Sequence, residues 1–363
     1  MKIGVLGAGQ LGLMLARAGT KLGVECRFMS PDASAPAGRI AELVIADYEN
    51  DAALAHFAEG LDVATYEFES IPLHSVRTVS EMVPVRPSPG VLEIAQDRLR
   101  EKQCFERLRI PVPQFAAVDT MSELRKALET IGYPSVLKAR CMGYDGKGQS
   151  VIRRSNDVPL AWVTTGGTPA IVESWVNFTR ELSIIAVRSA SGETAFYPLV
   201  ENFHSDGILR LSLAPAPLSE SSLQAIAEEY ARRIMDDLEY VGVLAIELFE
   251  IDGELWANEM APRVHNSGHW TIEGADTSQF ENHLRAIAGM PLGSTAMAGA
   301  VGMVNIIGRE VDLVRLAEMH DVHIHMYGKA PAPKRKLGHI TVTADNLDGV
   351  RNGVSRVRSA LAS

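Results

Sequence analysis

The first twelve residues constrain the fold of this chain more than any other segment. A short apolar run over residues 3–6 leads into the glycine-rich turn Gly7–Gly12, and the apolar spacing of a helix then continues to Leu22. Further strands are predicted in alternation with helical stretches, over residues 24–29, 43–46 and 63–68. This alternation predicts a Rossmann-like α/β domain with a parallel sheet over residues 1–95.

The glycine turn has several possible roles. Gly7, Gly9 and Gly12 have the G-x-G-x-x-G spacing, which lets the backbone approach a phosphate at a helix N-terminus. A dinucleotide site also requires an acid at the tip of the second strand, but residues 28–31 read Phe-Met-Ser-Pro and Asp32 follows only after the proline. Contact with a substrate phosphate or ring is therefore favoured over a dinucleotide cofactor or a purely structural turn.

The bulk composition narrows the class of protein. A chain of 363 residues is expected to form two or three domains, and its net charge of −10 argues against nucleic-acid binding. The three cysteines lack metal-ligand spacing and are typical of free thiols in a reducing compartment. Neither a secretory signal nor an apolar run of the roughly 20 residues that span a bilayer is recognisable. We therefore expect a cytoplasmic protein without a membrane partner.

Changes in pattern divide the rest of the chain into two predicted parts. Residues 96–176 read as a small α+β unit, in which a charged helix over 93–108 precedes strand, helix, strand, glycine loop, strand and strand. Residues 177–363 read as a larger mixed unit with antiparallel strands and a helix over 220–238.

A second glycine-rich segment follows a strand that carries a cation. Lys138 lies on the apolar strand 136–140, and the loop Gly143–Gln149 contains three glycines together with Lys147. Such a loop suits a lid over a polyphosphate, whereas an ordinary hairpin loop beside a surface lysine is the alternative. It is not a Walker loop, because the G-x-x-x-x-G-K-[ST] pattern and its helix are missing.

Two apolar strands around Asp252-Gly253 each contain a carboxylate, Glu247 and Glu259. Asp-Gly at this point predicts a hairpin. A two-residue turn places Glu247 opposite Asn258, whereas a three-residue loop places it opposite Glu259. In either register oxygen ligands lie a few Å apart across the ladder, which favours a bridging Mg²⁺ over a solvent-facing edge with scattered acids.

Polar side chains are concentrated after this hairpin. Arg263 can bind an anion through two N–H groups, and His265 can act as an acid, a base or a hydrogen-bond donor. Four cations over residues 329–336 form the most basic stretch of an acidic chain. They predict a pocket for a phosphorylated substrate, with a solvated charge run as the alternative.

Together these segments resemble the N5-carboxyaminoimidazole ribonucleotide synthetase family. The similar motifs are GAGQLG at 7–12, TYEFE at 65–69, GYDGKGQ at 143–149, NEMAPRVHNSGHWT at 258–271 and KRKLGHI at 334–340. The resemblance implies an ATP-grasp fold with a pre-ATP-grasp domain over 1–95, a lid over 96–176 and a large domain over 177–363 that includes the substrate-phosphate region. It also implies a homodimer, a transient contact with the downstream mutase, and carboxylation of aminoimidazole ribonucleotide with ATP and bicarbonate.

The resemblance further implies a role for individual residues. ATP phosphates are expected at Arg98, Lys138, Gly143, Tyr144, Asp145, Gly146, Lys147, Gly148 and Gln149. Adenine and ribose are expected at Glu173, Ser174, Trp175, Val176, Glu181 and His204, and Mg²⁺ at Glu247 and Glu259 beside Asn258. Carboxyphosphate or carbon dioxide is expected at Tyr144, Lys147, Arg263 and His265. The imidazole nucleotide is expected at Gln10, Glu67 and Asp145, and its phosphate at Lys329, Arg335 and Lys336.

The sequence departs from the family pattern at three positions. Lys147 replaces an arginine of the usual GYDGRGQ loop, which keeps the charge but loses bidentate geometry. Ala8 and Leu13 stand where glycine and arginine are expected.

Competing hypotheses are a formate-using or biotin-directed ATP-grasp enzyme, a nicotinamide oxidoreductase and a non-catalytic nucleotide-binding protein. These are separated by acceptor screening, NAD(P)H binding and metal-dependent ATP turnover.

Overall fold

The computed structural model describes residues 1–141, 148–217 and 222–362. Its strands form three sheets, which follow one another along the chain. Among these residues, no helix combines the length and the apolar character needed to cross a membrane.

The first sheet is parallel, as predicted. Its elements are β1 (Lys2–Leu6), α1 (Gln10–Leu22), β2 (Glu25–Ser30), β3 (Glu42–Ile45), α2 (Asp51–Ala58), β4 (Val63–Tyr66), α3 (Leu73–Ser80) and α4 (Pro89–Ala95). The strand order is β3-β2-β1-β4. Gly7 follows β1 with a φ of 102°, and a Cβ there would lie 2.5 Å from Cγ of Glu67. Only glycine therefore suits this close turn.

The prediction of a single continuous helix over residues 93–108 is wrong. The chain forms α4 and then a separate helix, α5 (Arg98–Arg107). Asp97 lies between them in an extended conformation, and its side chain accepts a hydrogen bond from Leu99 N–H at 2.9 Å. Such a cap starts a new helix, and this one begins with Arg98.

The middle sheet is antiparallel with the order β5-β8-β6-β7. Its elements are β5 (Phe115–Val118), α6 (Met121–Ile131), β6 (Ser135–Ala139), β7 (Gln149–Ile152), α7 (Val158–Thr164) and β8 (Ala170–Ser174). The prediction of two consecutive strands after the glycine loop is wrong, because α7 separates β7 from β8. Pro159 occupies the first turn of α7, where its missing N–H costs no helical hydrogen bond.

The third sheet is the largest. Its strands are β9 (Arg180–Arg188), β10 (Thr194–Phe196), β11 (Val200–Ser205), β12 (Ile208–Ala214), β13 (Gly242–Ile251), β14 (Glu254–Ala261), β15 (Ala300–Ile307), β16 (Val322–Met326) and β17 (Lys336–Ala344). Its helices are α8 (Ser222–Asp237), α9 (Thr271–Gly274), α10 (Gln279–Ile287), α11 (Leu313–Ala317) and α12 (Leu347–Ala362). The order is β14-β13-β9-β11-β12-β15-β17-β16, with β10 beside β9.

One hydrophobic cluster joins the first and third sheets. It contains Leu15 of α1, Leu284 of α10 and Val243 of β13, all of them inaccessible to solvent. Helices α1 and α10 therefore pack together between the first sheet and the large sheet. This packing brings the glycine turn at the start of α1 towards the strands that carry the acidic residues.

Candidate active site

The acidic hairpin combines a two-residue turn with an irregular strand. Asp252 and Gly253 have φ values of 50° and 84°, as a type I′ turn requires. A two-residue turn alone would pair Glu247 with Asn258, but Leu248 pairs with Ala257 and Glu247 pairs with Glu259. Asn258 is therefore the extra residue of a β-bulge, and this bulge places the two carboxylates opposite each other.

The two facing carboxylates differ in their ionisation. Burial, and then the neighbouring charge of Glu259, raise the pKa of Glu247 to about 7. Burial acts in the same direction on Glu259, but cations led by Arg98 outweigh it and lower its pKa to about 2. Arg98 Nη1 donates to Glu259 Oε2 at 2.7 Å. A cation bound between these carboxylates would favour the ionised form of Glu247.

A second cation borders the acidic pair from the middle sheet. Lys138, near the end of β6, donates to Glu173 Oε2 at 2.8 Å and to Asn258 Oδ1 at 3.4 Å. Arg98 and Lys138 therefore contact the adjacent residues Glu259 and Asn258. This arrangement brings together the predicted phosphate-binding cations and the predicted metal ligands.

Helix α5 supplies two buried charges that the sequence analysis did not assign to the site. Lys102 donates to the carbonyl of Asn258 at 2.7 Å, and Glu101 accepts from Met260 N–H at 2.6 Å. Lys102 is fully buried and lies 3.6 Å from Glu173. The two side chains bind the strand at the bulge and two residues after it. Lys102 follows Arg98 by one helical turn, a spacing that could have indicated its position.

The loop after β14 contains Arg263 and His265, and it places His265 beside the acidic pair. His265 Nε2 lies 3.4 Å from Glu247 Oε1, and burial, together with Arg263, lowers the pKa of His265 to about 3. Arg263 donates to Glu69 at 2.8 Å. Glu69 was also missed, although the spacing of the TYEFE motif puts it on the same face of an extended segment as Glu67.

The predicted adenine and ribose residues form two neighbouring groups. His204 of β11 contacts Glu181 of β9 through Nδ1 at 2.9 Å. Hydrogen bonding to Glu181 raises the pKa of His204, against the opposing effect of burial. Glu173 is buried against Lys138 and Lys102. Ser174 ends β8 and Val176 follows two residues later, both half-buried, whereas Trp175 between them is exposed.

The glycine turn binds a carboxylate of the protein itself. Glu67, only 6% exposed, accepts hydrogen bonds from Gly9 N–H and from Gly12 N–H, the latter at 2.5 Å. These N–H groups at the start of α1 are therefore not available to a substrate phosphate. Gln10, the first residue of α1, accepts a hydrogen bond from Lys329.

The cations of the predicted basic patch differ in their exposure and in the charged groups that they affect. Arg335 is exposed and donates to the carbonyl of Ala330 at 3.1 Å. The positive charge of Lys336 acts on Glu247 and on His265, whose pKa values it lowers as a secondary contribution. Burial lowers the pKa of Lys329, whose charge interacts with Glu67, Arg335 and Lys336. The cations therefore extend from the glycine turn to the acidic pair.

Part of the predicted lid lies outside the described residues. This applies to Gly143, Tyr144, Asp145, Gly146 and Lys147. Gly148 precedes β7, and Gln149 begins it and pairs with Lys138.

Three family models match successive parts of the chain. They are the ribonucleotide synthetase preATP-grasp domain over residues 1–96, the ATP-grasp domain over 103–280 and the phosphoribosylaminoimidazole carboxylase C-terminal domain over 301–353. These matches confirm the predicted ATP-grasp fold with a pre-ATP-grasp domain before it.

Known proteins are similar over the full length. The N5-carboxyaminoimidazole ribonucleotide synthase of Pseudomonas aeruginosa is 52% identical over 361 residues, which cover 99% of both chains. The crystal structure of the corresponding synthetase from Thermus thermophilus has a TM-score of 0.95 at 50% identity, and 99% of each chain is covered. The Aspergillus clavatus synthase, solved in complex with ADP and 5-aminoimidazole ribonucleotide, has a TM-score of 0.92 at 31% identity and covers 99% of this chain and 98% of its own. The chain therefore belongs to the N5-carboxyaminoimidazole ribonucleotide synthase family of ATP-grasp proteins.

Proposed function

We propose that this protein is an ATP-dependent carbon–nitrogen ligase of purine biosynthesis. It carboxylates the exocyclic amine of 5-aminoimidazole ribonucleotide, using ATP and bicarbonate. The observation that carries this proposal is the acidic pair Glu247 and Glu259, bordered by Arg98 and Lys138 and contacted by His265. The full-length similarity to synthases of this name supports the choice of acceptor.

The chemistry follows from the poor electrophilicity of bicarbonate. A bicarbonate oxygen attacks the γ-phosphorus of ATP, and the bond to the bridging oxygen of ADP breaks to give carboxyphosphate. Arg98 and Lys138 stabilise the charge that develops on the phosphate oxygens. Carboxyphosphate then separates into carbon dioxide and phosphate, and the amine captures the carbon dioxide as a carbamate with loss of a proton.

Mg²⁺ fits the acidic pair as a proposed cofactor. Two carboxylates on facing strands supply oxygen ligands, and substrate phosphates commonly complete the coordination of this ion. Among the described residues no group of three histidine, cysteine or acidic side chains could hold a metal ion by itself. This agrees with an ion that also requires the nucleotide. When bound, Mg²⁺ would neutralise charge on the transferred phosphoryl group.

We propose roles for the remaining site residues from the family resemblance. We assign Ser174, Trp175, Val176, Glu181 and His204 to adenine and ribose, and the loop Gly143–Gln149 to the cover over the phosphates. We assign Arg263 and His265, with Tyr144 and Lys147, to carboxyphosphate or carbon dioxide. Gln10, Glu67 and Asp145 are assigned to the imidazole nucleotide, and Lys329, Arg335 and Lys336 to its phosphate.

We also propose the wider setting of the enzyme. Its functional parts are residues 1–95, 96–176 and 177–363, it assembles as a homodimer in the cytoplasm, and it contacts the downstream mutase transiently. Its substrates, ATP and a purine precursor, and its three cysteines without disulfide partners suit this compartment.

The direct test measures ADP release by the purified protein with MgATP and bicarbonate, with and without aminoimidazole ribonucleotide. We expect strong stimulation by the ribonucleotide. An equal rate of ADP release with and without the ribonucleotide would agree with an ATP-grasp reaction but would reject this acceptor. A complete lack of turnover would reject the ligase proposal.

A further inference from the structure

A row of buried hydrogen bonds crosses the large sheet and ends on the ring of His265. Ser267 Oγ lies 2.9 Å from His265 Nδ1, and the backbone N–H of Ser267 donates to the same nitrogen at 3.3 Å. A backbone N–H can only donate, so Nδ1 must accept. The proton of the neutral imidazole therefore resides on Nε2, the atom that faces Glu247.

The row beyond Ser267 has a single direction. Ser212 Oγ donates to Asn202 Oδ1 at 2.7 Å, and Asn202 Nδ2 donates to Ser183 Oγ at 2.8 Å. Ser183 has one hydroxyl hydrogen, which it donates to Ser267 Oγ at 2.8 Å. The hydrogen of Ser267 is then left for His265 Nδ1.

Burial keeps water from changing this direction. Ser183, Ser212 and Ser267 are inaccessible to solvent, and Asn202 is 4% exposed. The backbone of His265 is held as well, because Gln279 accepts from His265 N–H at 2.9 Å and donates to His265 C=O at 2.6 Å. Gln279 is also fully buried. The ring and the backbone of His265 are therefore held by different residues.

We propose that Ser267, Ser183, Asn202 and Ser212 are positioning residues that hold His265 with its proton on Nε2. His265 then serves the reaction as a hydrogen-bond donor to an anionic oxygen, and not as the base that removes a proton from the amine. The assignment of a reaction to this donor rests on the proposed ligase function, whereas the position of the proton does not.

The position of the proton is measured on the full chain with ¹⁵N-labelled histidine, by long-range ¹H–¹⁵N correlation. The His265→Gln variant identifies the signals of His265 by their loss. We expect Nε2 to be protonated and Nδ1 to be unprotonated in the wild-type protein. Protonated Nδ1 would overturn the proposal, without reference to any activity or to the folding of a variant in the row.

The donor role is tested by comparing two amides at one position. The side-chain amide of His265→Gln can place an N–H near the position of Nε2, whereas that of His265→Asn reaches only the position of Nδ1. We expect the Gln variant to retain at least about tenfold more kcat than the Asn variant, a difference that corresponds to about 1.4 kcal/mol. Equal loss in both variants beside an active wild type would reject the donor role. An inactive wild type would instead reject the ligase function.

The row itself is tested with Ser183→Ala and Asn202→Asp. A carboxylate at residue 202 can only accept, so it draws the hydrogen of Ser183 away from Ser267. We expect both variants to lower kcat by about two- to tenfold with little change in the KM for ATP, and to alter the ring signals of His265. The matched control Ser205→Ala, an exposed serine of β11, should leave both unchanged. Ring signals that stay as in the wild type would reject the row as a positioning device.

Discussion

Glu247 and Glu259 are identical side chains whose surroundings give them different pKa values. They face each other across one ladder, yet the guanidinium of Arg98 contacts only Glu259. Burial raises the pKa of Glu247, and the nearby charge of Glu259, which Arg98 keeps ionised, raises it further. We therefore expect Glu259 to be ionised before the metal ion binds, whereas Glu247 becomes a full ligand only when that ion binds.

Substitution of Glu259 by alanine should abolish ATP turnover. The change removes the permanently charged member of the pair and leaves Arg98 without its acceptor. We expect ADP release to fall by at least about a hundredfold. Glu254→Ala, at the exposed end of the same strand, is the matched control and should behave as wild type. Kinetics of Glu259→Ala similar to wild type would remove this residue from the metal site.

Substitution of Lys336 by alanine should mainly weaken binding of the ribonucleotide. A lost phosphate contact predicts an increase of about tenfold in its KM, or about 1.4 kcal/mol. Lys334→Ala, an exposed neighbour, serves as the control. The charge of Lys336 also acts on Glu247 and His265. A lower kcat with an unchanged KM would therefore indicate that Lys336 acts at the reacting centre and not in the phosphate pocket.

The bulge of β14 is the local irregularity on which the acidic pair depends. It inserts Asn258 into the ladder and thereby changes the partner of Glu247. Two adjacent residues of α5, Glu101 and Lys102, bind the backbone at Met260 and Asn258. A helix of the preceding part of the chain therefore maintains the register of a hairpin about 150 residues later.

Replacing Lys102 with methionine should weaken both the fold and the metal site. It removes the donor to Asn258 C=O and leaves the buried Glu173 with one cation fewer. Loss of one partner of a buried pair costs about 3–5 kcal/mol, which urea unfolding would measure. We also expect a higher Mg²⁺ concentration for half-maximal ADP release. Lys126→Met, on the exposed face of α6, is the control, and an unchanged Mg²⁺ dependence of Lys102→Met would contradict this role of the bulge.

His283 joins the first sheet to the large sheet. Its Nδ1 accepts from Val243 N–H at 3.1 Å, and its Nε2 lies 3.0 Å from Thr65 Oγ1. The side chain is 1% exposed, and burial lowers its pKa to about 4. Protonation of Nδ1 would break the hydrogen bond from Val243 N–H. The packing between the first sheet and the large sheet therefore depends on pH.

The free energy of unfolding should therefore fall in mild acid. Above pH 6.5 the histidine is neutral in both states, and below it the unfolded chain binds a proton that the folded protein does not. Stability then decreases by up to about 1.4 kcal/mol per pH unit down to pH 4, or about 3 kcal/mol for this group. Unfolding of His283→Gln in urea between pH 7 and 4 should show a smaller slope. His323→Gln, which is exposed, should keep the wild-type slope, and equal slopes in all three proteins would contradict the argument.

Several features of the protein follow from local sequence alone. The order of strands and helices in the first sheet follows from apolar periodicity, and the turn of the late hairpin follows from Asp252-Gly253, because these signals act over a few neighbouring residues. The order of the motifs along the chain was enough to indicate the family, which the comparisons confirm. The individual roles of the site residues stay predictions.

Other features are decided only by contacts between distant segments. Side chains of α5 bind the backbone at the Asn258 bulge, and the carboxylate of Glu67 accepts from the N–H groups of Gly9 and Gly12. The proposed position of the His265 proton depends on a row of residues from three strands together with Ser267. Nothing near these residues in the sequence specifies such partners. Burial makes each polar group require a particular neighbour, and only the folded chain brings that neighbour within hydrogen-bond distance.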